Sequence, residues 1–197
     1  MELWHNRILV LDFGSQYTQL IARRIREAQV YSQILPCTVP LATILAYRPQ
    51  GIVLSGGPSS VYEKTAPLVS KELFDQNIPI LGICYGMQLV THLSGGKVVK
   101  APHREYGRAD VLIDDRSDLF KGIGAGGSSV VWMSHGDRIE RMPKGFRSIA
   151  HTSNSPVAAM KSENAQRRIY CLQFHPEVAH TPEGAKMLRN FVYEICG

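Results

Sequence analysis

The sequence contains no apolar run approaching the roughly 18 residues that a membrane-crossing helix needs, which excludes a helical membrane protein. Its opening stretch, Met1 to Asn6, is too short and too polar to read as a secretory signal. Cysteine is sparse: Cys37, Cys84, Cys171 and Cys196 are spread without a CxxC spacing, so neither a disulfide framework nor a zinc knuckle is indicated. These absences point to a soluble, cytoplasmic protein with reduced thiols. Neither a GxxxxGK-type phosphate loop nor a helical HExxH zinc motif occurs. The formal net charge is +5, but the Lys and Arg residues are scattered and carry no RNA- or DNA-binding signature. A solvated surface, or a face that docks a protein partner, accounts for that charge without nucleic acid. There is no internal repeat or low-complexity block.

What is present suits one compact domain over residues 1–197, with 44% of residues hydrophobic and 20% charged. Arg7 to Phe13 reads as a short apolar strand ended by Gly14, and Gln16 to Ala28 then places Leu20, Ile21, Ile25 and Ala28 at helical spacing. The alternation repeats, with strands at Tyr31 to Leu35, Ile52 to Leu54 and Ile80 to Ile83, and helices at Leu41 to Ala46, Pro67 to Phe74 and Tyr85 to Leu93. This predicts an α/β, three-layer fold: a mostly parallel central sheet with helices on both faces. After Gly95-Gly96 the rhythm changes to short strands at 97–100, 109–113, 130–133, 148–151, 157–161 and 169–173, before a last helix from Thr181 to Ile195. The second half is expected to extend the sheet in mixed or antiparallel fashion. Gly122 to Ser129, with Gly124, Gly126 and Gly127, is expected to be a mobile surface loop.

Cys84 lies in Gly82-Ile83-Cys84-Tyr85-Gly86, directly after an apolar strand and directly before a helical pattern. Small flanking residues permit a tight strand-to-helix turn that lifts a nucleophile above the C-terminal edge of a parallel sheet, where ligands bind. A helix N-terminus also favours thiolate over thiol. The plain alternative is a small buried residue, the usual role of free cysteine.

A thiol nucleophile needs a base, and the base needs a group to hold its tautomer. Gln173-Phe174-His175-Pro176-Glu177 offers both after another apolar strand. In extended chain, residues two apart project to one side, so His175 and Glu177 can pair while Pro176 stiffens the link. Seven histidines occur, and most histidines are ordinary surface or core residues; zinc binding by His175, Glu177 and His180 is a second alternative. A third segment, Ser55-Gly56-Gly57-Pro58-Ser59-Ser60, follows the strand ending at Leu54. It lacks the aspartate of an SGGxDS pyrophosphatase loop, which would stand at Ser59. Its paired glycines suit an oxyanion hole whose second donor is the N–H of Tyr85; a simple Gly-Pro turn is the alternative for these residues taken alone.

With Gly-Ile-Cys-Tyr-Gly-Met-Gln at 82–88, Ser-Gly-Gly-Pro at 55–58 and Phe-His-Pro-Glu-Val at 174–178, the whole chain resembles the class I (triad) glutamine amidotransferases. Within that family, the stretch from Leu11 to Arg24, Tyr85 after the cysteine, and Ser134-His135-Gly136-Asp137 are most similar to the amidotransferase part of GMP synthetases. The resemblance implies Cys84 as nucleophile, His175 as general acid/base and Glu177 as its orienter. It further implies an oxyanion hole from the Gly57 and Tyr85 N–H groups, with Gln88, Ser134 and His135 binding L-glutamine. The implied half-reaction releases ammonia with no metal or cofactor; ATP and magnesium are expected only in a partner, the ATP-pyrophosphatase domain or subunit that converts XMP to GMP. The glutaminase component of anthranilate, carbamoyl phosphate or CTP synthesis, or another cysteine hydrolase on the same fold, is the alternative. A catalytically silent module is disfavoured by the presence of Cys84, His175 and Glu177 together.

Overall fold

Apolar residues on both faces of a strand require cover on both faces, and β1 (Arg7–Asp12) carries four consecutive buried residues between half-buried ends. The computed structural model describes residues 7–197, apart from the side chains of Pro102 and His103. The opening stretch from Met1 to Asn6, too short and polar for a secretory signal, lies outside the described residues. Ile8 and Val10 join a core with Ile21, Ala22 and Ile25 of α1 (Thr18–Glu27) and with Met187 and Leu188 of α4 (Gly184–Asn190). Leu9 and Leu11 point the other way, into a core with Ile44 of α2 (Leu41–Ala46) and Met87, Leu89 and Val90 of α3 (Tyr85–Leu93). The three layers follow from this alternation.

Among the described residues, nine strands form one sheet. Five run parallel, in the order β2 (Tyr31–Pro36), β1, β3 (Gly51–Leu54), β4 (Ile80–Ile83) and β9 (Ile169–Leu172). Four antiparallel strands continue it: β8 (Ala159–Ser162), β7 (Phe146–His151), β5 (Lys97–Ile113) and β6 (Ser128–Arg141). The expected α/β fold with an antiparallel extension is what the chain forms.

Several local readings differ. The separate strands expected at 97–100 and 109–113 are one strand, β5, whose pairing with β6 slips between Lys100 and Glu105. A slip of the ladder accommodates the Pro-containing stretch that reads as a break in sequence. The helix expected from Pro67 to Phe74 is only a 3₁₀ turn at Lys71–Asp75, because Ser70 is extended (ψ 131°) and the Pro67 carbonyl is engaged by the Tyr85 hydroxyl at 2.6 Å. The last helix, expected from Thr181, begins at Gly184 and widens into a π turn at Phe191–Ile195. The glycine-rich segment at 122–129, expected to be loose, is fastened to the chain around α4: Glu183 accepts from the Gly124 N–H and the Ser129 hydroxyl, and Lys186 donates to Gly122 O.

Gly86 sits where the first turn of α3 crosses β3. A Cβ there would fall 2.8 Å from Leu54 Cβ and closer still to Leu54 O, so backbone would have to move. Gly86→Ala is expected to lower stability by about 1–3 kcal/mol, read as a reduced urea midpoint at unchanged slope.

Candidate active site

The last pair of the β4–β9 ladder is Ile83 with Leu172, so both chains leave the sheet side by side at its C-terminal edge. Cys84 is the next residue, and its N–H donates to Leu172 O at 2.7 Å. It takes φ +51° and ψ −104°, a conformation that side chains other than glycine rarely adopt, and the chain turns there directly into α3. The Sγ atom lies 3.6 Å from Ser134 O and 3.8 Å from Gln173 Nε2.

From Leu172 the other chain bends to bring His175 back toward Cys84, close enough for the sulfur to act on the imidazole electrostatically. His175 Nδ1 meets Glu177 Oε1 at 2.7 Å, and Glu177 has no solvent exposure. The pairing expected from extended backbone therefore forms, but through successive bends at 173–178 rather than a strand. Thr181 secures the segment: its hydroxyl donates to His175 O at 2.6 Å and accepts from Trp132 N–H at 3.0 Å. Arg24 of α1 donates to Glu177 O at 3.0 Å, and Tyr17 sets a ring edge against the imidazole at 5.2 Å. His180, by contrast, packs on Trp132 at 4.4 Å, and among the described residues no group of three His, Cys, Asp or Glu side chains is arranged to hold a metal.

Gly57 and Tyr85 also meet. A Cβ on Gly57 would lie 2.7 Å from Phe13 O and 3.4 Å from Tyr85 Cγ, so only glycine allows this approach. Gly56 runs close to His175 Cε1 and Cys84 Cβ. Tyr85 supplies the first N–H of α3, one of the four that a helix cannot satisfy internally. Its ring is buried against Phe13, and burial pushes its hydroxyl up to about 12, so it stays a neutral donor to Pro67 O.

Two cavities meet at Cys84. One, of about 510 Å³, is lined by Gly57, Gln88, Lys100, Arg104, Ser134 and Asp137 among others. The second, of about 360 Å³, lies between the Gly14–Tyr17 loop and His175. Asp137 organises the larger one: Oδ2 accepts from Ser60 at 2.5 Å and Oδ1 from Tyr62 at 2.8 Å. Its carbonyl receives Gln88 Nε2 at 3.5 Å and contacts His135 Nδ1 at 2.8 Å. The far nitrogen of His135 lies 2.9 Å from Glu105 Oε2 without hydrogen-bond alignment. Alternate residues of β6 are buried, which turns His135 and Asp137 inward together and leaves Ser134 to border Cys84 by its backbone.

The structure thus brings together Cys84, His175, Glu177, Gly57, Tyr85, Gln88, Ser134 and His135. Sequence reasoning assigned no site role to the Asp137 carboxylate, Ser60, Tyr62 or Gln173. Asp137 and Gln173 stand beside the recognisable motif positions, but nothing in their spacing shows that one gathers two hydroxyls and the other reaches the sulfur.

A model of the family "Glutamine amidotransferase class-I" matches residues 9–195. The chain is 55% identical over 190 residues to the GMP synthase [glutamine-hydrolyzing] of Clostridium perfringens, covering 96% of this chain and 36% of that protein. It is also 55% identical over 194 residues to that of Wolinella succinogenes, with 96% and 36% covered. The chain therefore spans about a third of the length of these curated relatives. A Thermoplasma acidophilum protein, crystallised as a candidate component of a GMP synthase, is 36% identical, with a TM-score of 0.88 over 97% of this chain and 94% of that one. A glutamine amidotransferase from Thermotoga maritima, 18% identical with a TM-score of 0.76 over 98% of each chain, shares the fold.

The electrostatics of His175 give a pH test. Burial pulls the imidazole down, but its interactions with Cys84 and with Glu177 outweigh it and lift it from 6.5 to about 10. A group raised on folding contributes stability that is complete below its unfolded value, near 6.5, and lost as pH climbs through about 10. Glu177→Gln removes the buried carboxylate. The urea-midpoint gap between the native protein and this variant is expected to be widest at or below pH 6.5 and to narrow toward pH 10.

Proposed function

Because the chain belongs to the class-I glutamine amidotransferase family, we propose that it hydrolyses glutamine to glutamate and ammonia through a γ-glutamyl thioester on Cys84. The observation that carries this reading is the buried line Cys84–His175–Glu177 at the sheet edge, opening on a cavity that ends at a carboxylate.

The Cys84 thiolate attacks the γ-carboxamide carbon, and the N–H groups of Gly57 and Tyr85 take up the charge on oxygen. Collapse breaks the C–N bond as His175, held by Glu177, gives its proton to the nitrogen, which leaves as ammonia. Water then attacks the thioester, giving up a proton to His175; the C–S bond breaks, and glutamate and the thiolate are released. No step needs a metal or organic cofactor. The Asp137 carboxylate, fixed by Ser60 and Tyr62, matches the substrate α-ammonium, and Lys100 and Arg104 supply positive charge for its α-carboxylate. Gln88, His135 and the Ser134 backbone hold the wall between that end and the sulfur.

The names of the relatives support XMP amination as the use of this ammonia, rather than anthranilate, carbamoyl phosphate or CTP synthesis. In this reading residues 1–197 are one glutaminase domain, and its partner is an ATP-pyrophosphatase, on the same or a separate chain, that adenylates XMP with ATP and magnesium. The reaction then belongs in the cytoplasm; no helix among the described residues is long and apolar enough to cross a membrane.

Ammonia-release assays test the proposal. Cys84→Ala is expected to lose at least about a thousandfold in kcat, and equal activity in that variant would refute the assignment. Asp137→Asn is expected to raise KM roughly 10- to 100-fold, the loss of about 1.4–2.8 kcal/mol of binding, with a smaller change in kcat. Turnover alone is expected to be weak and to rise when a GMP synthetase pyrophosphatase is added with XMP, ATP and magnesium. Stimulation only by a different synthetase would reassign the pathway.

A further inference from the structure

Gln173 lies two residues before His175, and none of it reaches solvent. Its backbone N–H is engaged by Ala158 O at 2.8 Å. The carboxamide is left with an unequal pair of contacts: Nε2 stands 3.8 Å from Cys84 Sγ, within reach of a hydrogen bond to sulfur, while Oε1 has no partner. A side chain present only to fill space would do so at lower cost as Met or Leu, since a buried unpaired carbonyl costs about 1–3 kcal/mol. The amide is therefore explained by what Nε2 does.

The sulfur has two neighbours of opposite kind. Ser134 O at 3.6 Å can only accept, which suits the neutral S–H. Gln173 Nε2 can only donate, which suits S⁻. The reverse amide orientation would set Oε1 against a negative charge, so an ionised sulfur itself selects Nε2 inward.

We propose that Gln173 is a further catalytic residue of this site, donating from its carboxamide Nε2 to the Cys84 sulfur and holding it as thiolate beside His175. The inference rests on Cys84 being the nucleophile. It places a donor where charge exists twice in the cycle. In the free site the amide stabilises the attacking thiolate. When water opens the thioester, the C–S bond pair returns to sulfur, and the same N–H meets the charge as it forms.

The test is the pH profile of Cys84 alkylation by iodoacetamide in the full chain, with the Cys84→Ala protein subtracting the other three thiols. Gln173→Met keeps the length and removes the donor. It is expected to move the midpoint of the profile up by about one pH unit and to slow alkylation below that midpoint about tenfold. Gln173→Glu is expected to move it further, because a carboxylate repels the thiolate. An unchanged midpoint in a Gln173→Met protein with native circular dichroism would overturn the inference. Failure of both variants to fold would also overturn it, by assigning the amide to packing. Because alkylation needs no glutamine, the outcomes separate: a Cys84 with no enhanced reactivity in the native protein removes the glutaminase reading, whereas a reactive Cys84 indifferent to Gln173 removes only this inference.

Discussion

Every part of the site depends on the pairing of β4 with β9. These strands are distant in the chain, yet the ladder's last register sets Ile83 beside Leu172, and the hydrogen bond from the Cys84 N–H to Leu172 O continues it one residue beyond β4. Parallel pairing means that both chains leave the sheet in the same direction at the same edge. That edge lets one chain enter a helix at Cys84 and the other fold back at His175, so sulfur and imidazole meet although neither lies in the sheet. An antiparallel neighbour at this position would have sent the two residues to opposite ends. The topology of the first half thus has a chemical consequence, and the antiparallel second half completes it by carrying Ser134 O to the sulfur through β6.

Burial then makes the charges interdependent. Glu177 is sealed from solvent, and an ionised carboxylate is held there at acceptable cost only with close donors or a cation. His175 provides the contact at 2.7 Å and becomes easier to protonate as a result, in spite of its own burial. A protonated imidazole in turn favours a thiolate next to it. The three side chains form a line in which the state of each depends on its neighbour. Removing any one leaves another buried and uncompensated, which is why the supporting contacts from Thr181, Arg24 and Tyr17 fall on the His175–Glu177 segment instead of being spread over the surface.

The legible parts of this molecule are those that local pattern controls. Strand and helix alternation through Leu93 reveals the parallel half because its elements are short and several are bounded by glycine or proline, and Tyr85–Leu93 coincides with the helix read from its apolar spacing. Pro67 to Phe74 departs from its pattern because tertiary contacts decide it: the Tyr85 hydroxyl claims the Pro67 carbonyl, and Leu73 and Phe74 need only one turn to reach the core. The β5–β6 ribbon reads as fragments because register shifts break its periodicity without breaking the strand. In the site, Cys84, His175 and Glu177 are visible as motif positions flanked by turn residues. The part played by Asp137 is not, since it comes from Ser60 and Tyr62, 77 and 75 residues away.

Among the described residues, four of the five buried side-chain polar atoms without a hydrogen-bond partner gather around the same edge. Cys84 holds a positive φ while buried, and Gln173 Oε1 and Glu177 Oε2 are buried without a hydrogen-bond partner beside it. Glu105 Oε2 and His135 Nε2 repeat the pattern at the Asp137 end. An unsatisfied buried polar atom costs roughly 1–3 kcal/mol, so a random scatter of such atoms would be selected out of a stable domain. Their concentration in one region means that the two apolar cores on either face of the sheet carry the stability, leaving the edge free to hold groups in geometries that favour reaction over rest.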